Sequence, residues 1–296
     1  MPNIGFIGLG NMGAPMAANL VKSGDHVVGF DVVDAARAAG AQLGVAIAPN
    51  AKTSVESADI VITMLPAGEH VRAVWSEILP SAKRGALFID CSTIDVTSAR
   101  AAHGLAAQRG VAALDAPVSG GVGGAKAATL TFMVGGAADA FARGKPVLER
   151  MGKRVVHCGD AGNGQAAKIC NNMILGTSMI AVSEAFVLAE RLGLDAQKLF
   201  EISSKSSGQC WSLTSYCPVP GPVPASPANN GYKPGFAAAL MLKDLKLARE
   251  AAAAVHAKTA LGAHAAEIYE QFAAAGQSGA DFSGIINFVR DRSKPN

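Results

Sequence analysis

The sequence predicts an α/β fold, a doubly wound parallel sheet followed by an all-α C-terminal domain, the two joined by a long helix. Three observations carry that expectation. Short apolar runs alternate with helix-like segments to about residue 160, no convincing strand follows Gly164, and the stretch 165–191 contains no proline. Alternating β and α segments are the pattern of a parallel sheet covered on both faces, whose strands read as nearly continuous apolar runs such as I-V-I-T-M-L.

The strands expected from those runs are 4–8, 26–31, 59–65, 86–90, 111–116, 131–134 and 155–158, with helices over 12–23, 71–78, 97–109 and 138–151. A helix over about 165–191 spans roughly 40 Å at 1.5 Å per residue. Ala-rich segments 195–203, 236–254 and 259–275 read as further helices, giving domains 1–163 and 164–296. The run C-P-V-P-G-P-V-P-A-S-P, 217–227, cannot be helical and is expected to be a structured surface loop.

Composition narrows the function. Half of the 296 residues are hydrophobic and 17% are charged, which excludes a disordered chain. A net charge of +3 without any long basic run argues against a nucleic-acid partner. Five cysteines without a C-x-x-C pair, and six histidines in no familiar ligand cluster, imply a reducing compartment, no disulfide framework and no metal. A strand from Ile4 leaves no room for a signal peptide, so a cytoplasmic location is expected. The uncharged run 169–183 is short and holds Asn, Thr and Ser, so no membrane span is expected.

The first strand runs into G-L-G-N-M-G, placing Gly8, Gly10 and Gly13 in G-x-G-x-x-G spacing with Asn11 and Met12 between. A strand before, an amphipathic helix after and an acid, Asp31, closing the second strand complete the Rossmann-type dinucleotide pattern. Gly8 permits a tight turn, Gly10 lets a pyrophosphate approach the backbone and Gly13 lets helix pack on strand, with the helix N-terminus facing the phosphates. Asp31 suits ribose hydroxyls and repels a 2′-phosphate, and no arginine follows until Arg37, so NAD is the expected cofactor.

After the fifth strand comes D-A-P-V-S-G-G-V-G-G-A, 115–125. Ligands bind beyond the carboxyl ends of parallel strands, and Ser119 with the backbone of Gly120 and Gly121 could receive a small carboxylate; an ordinary Gly-rich turn fits equally well. Between Asp160 and Glu184 the only ionisable charge is Lys168, with Asn172 one turn on along the same helix face. Desolvation disfavours an ammonium, so a buried lysine there can exchange a proton with an alcohol while hydride moves to the cofactor.

G-L-G-N-M-G, D-A-P-V-S-G-G, G-N-G-Q-A-A-K-I-C-N-N and L-K-D-L-K-L-A together resemble the β-hydroxyacid dehydrogenase family, in its order and over almost the whole chain. The resemblance implies Lys168 as catalytic acid/base with Asn172 beside it, and Ser119, Gly120 and Gly121 on the substrate carboxylate. It also implies that Leu65, Pro66, His70 and Thr93 line the cofactor site, that Lys243 reaches it from the helical domain, and that the chain forms a homodimer or homotetramer. The implied substrate is a small 3-hydroxy acid, foremost (S)-3-hydroxyisobutyrate in valine breakdown, with L-serine or tartronate and succinic semialdehydes as alternatives. A non-catalytic NAD sensor would be expected to lack the lysine or the carboxylate loop. Two departures stand out: Cys217 where the pattern has Asn, and Lys246 where it has Gly. Trp211, Tyr216 and Phe236 are candidates to wall the substrate pocket, or plain core.

Overall fold

Nine strands form one sheet: β1 (Asn3–Ile7), β2 (His26–Phe30), β3 (Ala46–Ile47), β4 (Ile60–Thr63), β5 (Leu87–Asp90), β6 (Ala112–Asp115), β7 (Val118–Ser119), β8 (Leu130–Gly135) and β9 (Gly152–Gly159). The computed structural model describes residues 1–293. The strand order is β3-β2-β1-β4-β5-β6-β8-β7, with β9 beside β8. The first six strands are parallel in the 3-2-1-4-5-6 order of a Rossmann sheet. The sheet is mixed, because β8 runs antiparallel to both β6 and β7.

Alternate residues of the strands feed opposite cores, which is why the strands are apolar throughout. Ile60, Ile62, Leu87 and Ile89 pack in one core with Met16 and Leu20 of α1 (Gly13–Lys22). Val61 and Phe88 pack in the other with Val71 and Trp75 of α3 (Gly68–Ile78) and Ala102 of α4 (Val96–Gln108). Each fully buried large side chain, such as Phe6 or Phe88, contributes about 1.5–3 kcal/mol.

Expectation and structure differ in short elements. Helix α2 (Asp34–Gln42) buries only Gly40, so it shows no apolar stripe from which a helix could be predicted. The Gly-rich run after Gly120 forms α5 (Gly121–Ala127), and α6 (Ala138–Leu148) stops short of residue 151. Strands β3 and β7, two residues each, are too short to show a period.

The chain divides into two compact units, Met1–Lys168 and Ile169 onward. The second is built of helices: α7 (Asn163–Arg191, which begins in the first unit), α8 (Ala196–Ser203), α9 (Trp211–Thr214), α10 (Ala238–Ala254), α11 (Ala260–Phe272) and α12 (Ile285–Arg292). At 29 residues α7 is long and apolar enough to cross a membrane by length and composition. Its Met179, Ile180, Phe186 and Val187 instead lie in the cores of the helical unit. The proline-rich stretch is an ordered loop: Ser226 Oγ donates to the Cys217 carbonyl at 2.6 Å and Tyr232 Oη to that of Pro218 at 2.9 Å.

Candidate active site

β1 delivers the chain to Gly8, where φ is +96° and a Cβ would stand 2.2 Å from the Met64 carbonyl oxygen. At Gly13 a Cβ would lie 1.8 Å from the Gly8 oxygen, so both positions require glycine. Gly10 is exposed and a Cβ there would meet no protein atom within 4 Å, so packing does not explain it. Asn11 is exposed, Met12 packs partly against the core, and α1 opens without a side-chain cap. Such an uncapped first turn can turn its amides to an anion.

Asp31 follows β2. Its Oδ2 accepts the Leu9 amide at 2.7 Å and its Oδ1 the Val33 amide at 2.8 Å, which ties the carboxylate to the glycine loop and leaves lone pairs for hydroxyl donors. One expectation needs correction here. Arg37 is not remote: the first turn of α2 brings it back, so that its guanidinium donates to the Asp31 carbonyl at 2.6 Å and lies over the Phe30 ring. Asp34 pairs with the same guanidinium, so part of the arginine's charge is already engaged.

A polar row crosses the apolar sheet at its carboxyl edge, with Thr63, Asp90 and Asp115 register partners on β4, β5 and β6. Asp90 Oδ1 accepts from Thr63 Oγ1 at 2.7 Å and from Ser92 Oγ at 2.6 Å, with the Ser92 amide at 3.3 Å. Ser92 Oγ in turn accepts the Leu65 amide at 2.7 Å, and Thr63 Oγ1 accepts Trp75 Nε1–H at 3.2 Å. The loops carrying Leu65, Pro66 and Thr93 start from this cluster. Desolvation pushes the Asp90 carboxyl up to about 6, Asp115 adds to the shift, and the Ser92 and Thr63 hydrogen bonds oppose it. His70 lies in the first turn of α3 with its side chain half exposed.

Asp115, from the D-A-P-V-S-G-G motif, serves the start of α7. Its Oδ1 accepts the Gly162 amide at 2.8 Å and meets His103 Nε2 at 3.0 Å, while Oδ2 accepts the Gln165 amide at 3.0 Å. Gln165 then reaches the loop after β5. Its Nε2 donates to the Ser92 carbonyl at 2.7 Å and its Oε1 accepts the Ile94 amide at 3.1 Å, bracketing Thr93. Lys168 lies one turn along α7 from Gln165 and is 6% exposed. Four residues after Asp115, Ser119 sits partly buried on β7 opposite Thr131 of β8, and Gly120 and Gly121 lead into α5. The first unit thus joins the strand leading to Ser119, the Thr93 loop and the lysine helix through two side chains, Asp115 and Gln165.

In the helical unit, Asn172 is 1% exposed and its Nδ2 donates to Asp244 Oδ2. Lys243 Nζ lies 3.9 Å from Asp244 Oδ1. Trp211 stacks on Tyr216 with ring centroids 4.9 Å apart, and Tyr216 stacks on Phe282, which Phe236 meets edge-on. Tyr216 and Phe236 therefore pack with the core of this unit, whereas Trp211 keeps half its surface exposed. Cys217 is fully buried with Leu213, Val219 and Phe186, so this departure acts through packing. Lys246 pairs with Glu270 of α11 at 2.7 Å.

Sequence reasoning missed Asp90, Asp115, Gln165 and Asp244 as site residues. Three of them, Asp115, Gln165 and Asp244, stand inside the D-A-P-V-S-G-G, G-N-G-Q-A-A-K and L-K-D-L-K-L-A motifs, read there for glycine and lysine. The usable signal was an acid closing an apolar strand.

A glycine cradle after the first strand of a Rossmann sheet, an acid closing the second strand and a lysine buried on the helix after the sheet define the class, a dinucleotide-binding dehydrogenase of the β-hydroxyacid type. Residues 3–159 match the family described as the NAD binding domain of 6-phosphogluconate dehydrogenase, and residues 162–289 that described as the NAD-binding of NADP-dependent 3-hydroxyisobutyrate dehydrogenase. A probable 3-hydroxyisobutyrate dehydrogenase of Mycobacterium tuberculosis is 55% identical over 293 residues, 99% of each chain. An NAD-dependent L-serine dehydrogenase of Pseudomonas aeruginosa is 46% identical over 288 residues, 96% of this chain and 97% of that one. A solved structure described as Mycobacterium tuberculosis 3-hydroxyisobutyrate dehydrogenase with L-serine superposes with a TM-score of 0.95 at 56% identity, covering 98% of this chain and 99% of the other. The chain belongs to the 3-hydroxyisobutyrate dehydrogenase family.

Proposed function

We propose that this protein oxidises (S)-3-hydroxyisobutyrate to methylmalonate semialdehyde, a step of valine breakdown, with NAD as cofactor. The observation that carries the reading is Lys168, buried one turn beyond the glutamine that brackets Thr93. In this reading Ser119, Gly120 and Gly121 hold the substrate carboxylate. Lys168 Nζ takes the hydroxyl proton, and Asn172, held by Asp244, orients the lysine or donates to the substrate. A buried amine suits a base, because desolvation disfavours the ammonium. Gly8, Gly10, Asn11, Met12 and Gly13 cradle the pyrophosphate, Asp31 receives the ribose hydroxyls, and Leu65, Pro66, His70, Thr93 and Lys243 line the rest of the cofactor site. NAD, when bound, accepts the hydride. Asp31 favours NAD over NADP, even with Arg37 close by.

The deciding experiment is steady-state kinetics on (S)-3-hydroxyisobutyrate, L-serine and the reverse reduction of tartronate and succinic semialdehydes, each with both nicotinamide cofactors. The highest kcat/KM is expected for (S)-3-hydroxyisobutyrate with NAD. L-serine is the second reading, favoured by the 46% identical serine dehydrogenase and by the neighbour described with L-serine; a higher kcat/KM on serine would establish it. Lys168→Ala should lower turnover about 10³-fold while NADH affinity stays within about twofold. Near-normal turnover in that variant would refute the mechanism.

Association and location belong to the same reading. Ile174, Ala181, Ala185 and Leu188 form an exposed apolar row on α7 at helical spacing, suited to a second copy of the chain. Light scattering should therefore give a dimer or tetramer. The five unpaired cysteines suit a reducing cytoplasm.

A further inference from the structure

We propose that Asp90 is a positioning residue of the cofactor site: through Ser92 and Thr63 its carboxylate sets the loops that carry Leu65, Pro66 and Thr93, and its protonation loosens them and weakens dinucleotide binding. The assignment takes from the proposed function only that these loops hold the cofactor. Asp90 touches neither loop's outer residues; it acts through the Ser92 and Thr63 hydroxyls and the Ser92 amide.

The direction of each hydrogen bond matters. A hydroxyl has one proton to give, and both Ser92 and Thr63 give theirs to Asp90 Oδ1. That leaves the Ser92 oxygen as acceptor for the Leu65 amide and the Thr63 oxygen as acceptor for Trp75 Nε1–H. Two relays thus converge on one carboxylate oxygen, and each is strongest when that oxygen is charged. Ser92 is the junction: its hydroxyl answers to Asp90, while its carbonyl accepts from Gln165, whose other side-chain atom holds Ile94. The Thr93 segment is clamped from both sides, and one clamp ends on Asp90.

Asp90 Oδ2 is buried without a hydrogen-bond partner among the described residues, so a proton can settle there without breaking an existing bond. Burial and the neighbouring charge of Asp115 bring this titration to about 6. From the packed elements, β6 presents Asp115, itself paired with His103 of α4, and β4 and α3 present the non-titrating Thr63 and Trp75. The adjoining Cys91 remains a thiol, because burial and then the Asp90 charge push its own titration well up. The expected window for a change in binding is therefore about pH 5–7.

The test is NADH fluorescence titration of the full chain between pH 5 and 8, for wild type, Asp90→Asn, Ser92→Ala and Ser92→Thr. Wild-type Kd should rise about fivefold as pH falls from 7.5 to 5, the scale of one hydrogen bond. Asp90→Asn, which keeps an acceptor but cannot titrate there, should bind at pH 7.5 as weakly as wild type does at pH 5, with a flat profile. Ser92→Ala should lose affinity similarly, and Ser92→Thr, which restores the hydroxyl, should regain it. An Asp90→Asn profile parallel to wild type overturns the assignment, as does unchanged affinity in Ser92→Ala; the serine pair decides alone if Asp90→Asn does not fold. A wild-type chain that binds no NADH at any pH overturns the cofactor reading together with it.

Discussion

Two fully buried carboxylates, one in each unit, show how differently a fold can treat a buried charge. Asp281 of the helical unit receives five donors: Tyr216 Oη and the Gly235 and Phe236 amides on Oδ2, and the Ser283 amide and hydroxyl on Oδ1. Asp90 of the sheet receives three donors on Oδ1 and none on Oδ2. Both are 2% exposed or less. The helical unit uses its carboxylate to hold Tyr216, the chain before α10 and the chain before α12 in one place. The sheet keeps its carboxylate half-fed at the edge where the loops carrying Leu65, Pro66 and Thr93 begin. A fully fed carboxylate is a fixed strut, whereas a half-fed one can change its protonation near neutral pH at small structural cost.

Breaking the strut should have the largest effect. Asp281→Ala strands several buried donors at once and is expected to destabilise the chain by about 3–5 kcal/mol, read from the urea midpoint. A loss below about 1 kcal/mol would mean that those donors find water instead, and the contrast with Asp90 would fail. The second effect is a slope. Asp90 titrates at about 6 in the folded chain against 3.8 as its ordinary value. Its contribution is therefore present in full below about pH 4 and is lost as pH rises through 6. Asp90→Asn lacks that loss, so its stability relative to wild type should improve by about 2.5 kcal/mol between pH 4 and pH 7. Paired urea titrations at the two pH values measure it, and a constant difference would contradict the buried-charge account. The smallest effect concerns a charge that keeps part of its contact with water. Glu190 of α7 accepts from Arg290 of α12 at 2.7 and 2.9 Å, which lowers its carboxyl, but both side chains are about a third exposed. Glu190→Gln should cost less than about 1 kcal/mol in urea unfolding, and a larger loss would place this surface pair on a par with the buried ones.

Much of the site was legible because its chemistry is local in sequence. The glycine cradle follows from sterics among residues 8–13 and the chain beside them, and no other residue fits at Gly8 or Gly13. The long helix expected over 165–191 spans Asn163–Arg191, and the lysine and asparagine singled out on it are both buried. What escaped notice depends on partners far apart in the chain. Asp115 meets Gly162 across 47 positions, Gln165 meets Ser92 across 73, and Asn172 meets Asp244 across 72. No spacing rule reaches so far. Arg37 was misjudged for a nearer reason: linear distance from Asp31 says little once a helix turn folds the guanidinium back.

By itself the sequence determined where strands and helices alternate, where backbone had to come close to backbone, and which single amine sits in an apolar helix, because each follows from side-chain size and polarity along a short stretch. Only the tertiary structure decided which acids became struts, which were left half-satisfied, and how Asp115 and Gln165 tie the lysine helix to two loops. Those outcomes depend on hydrogen-bond donors brought together across the whole unit, where desolvation makes every unmatched lone pair count.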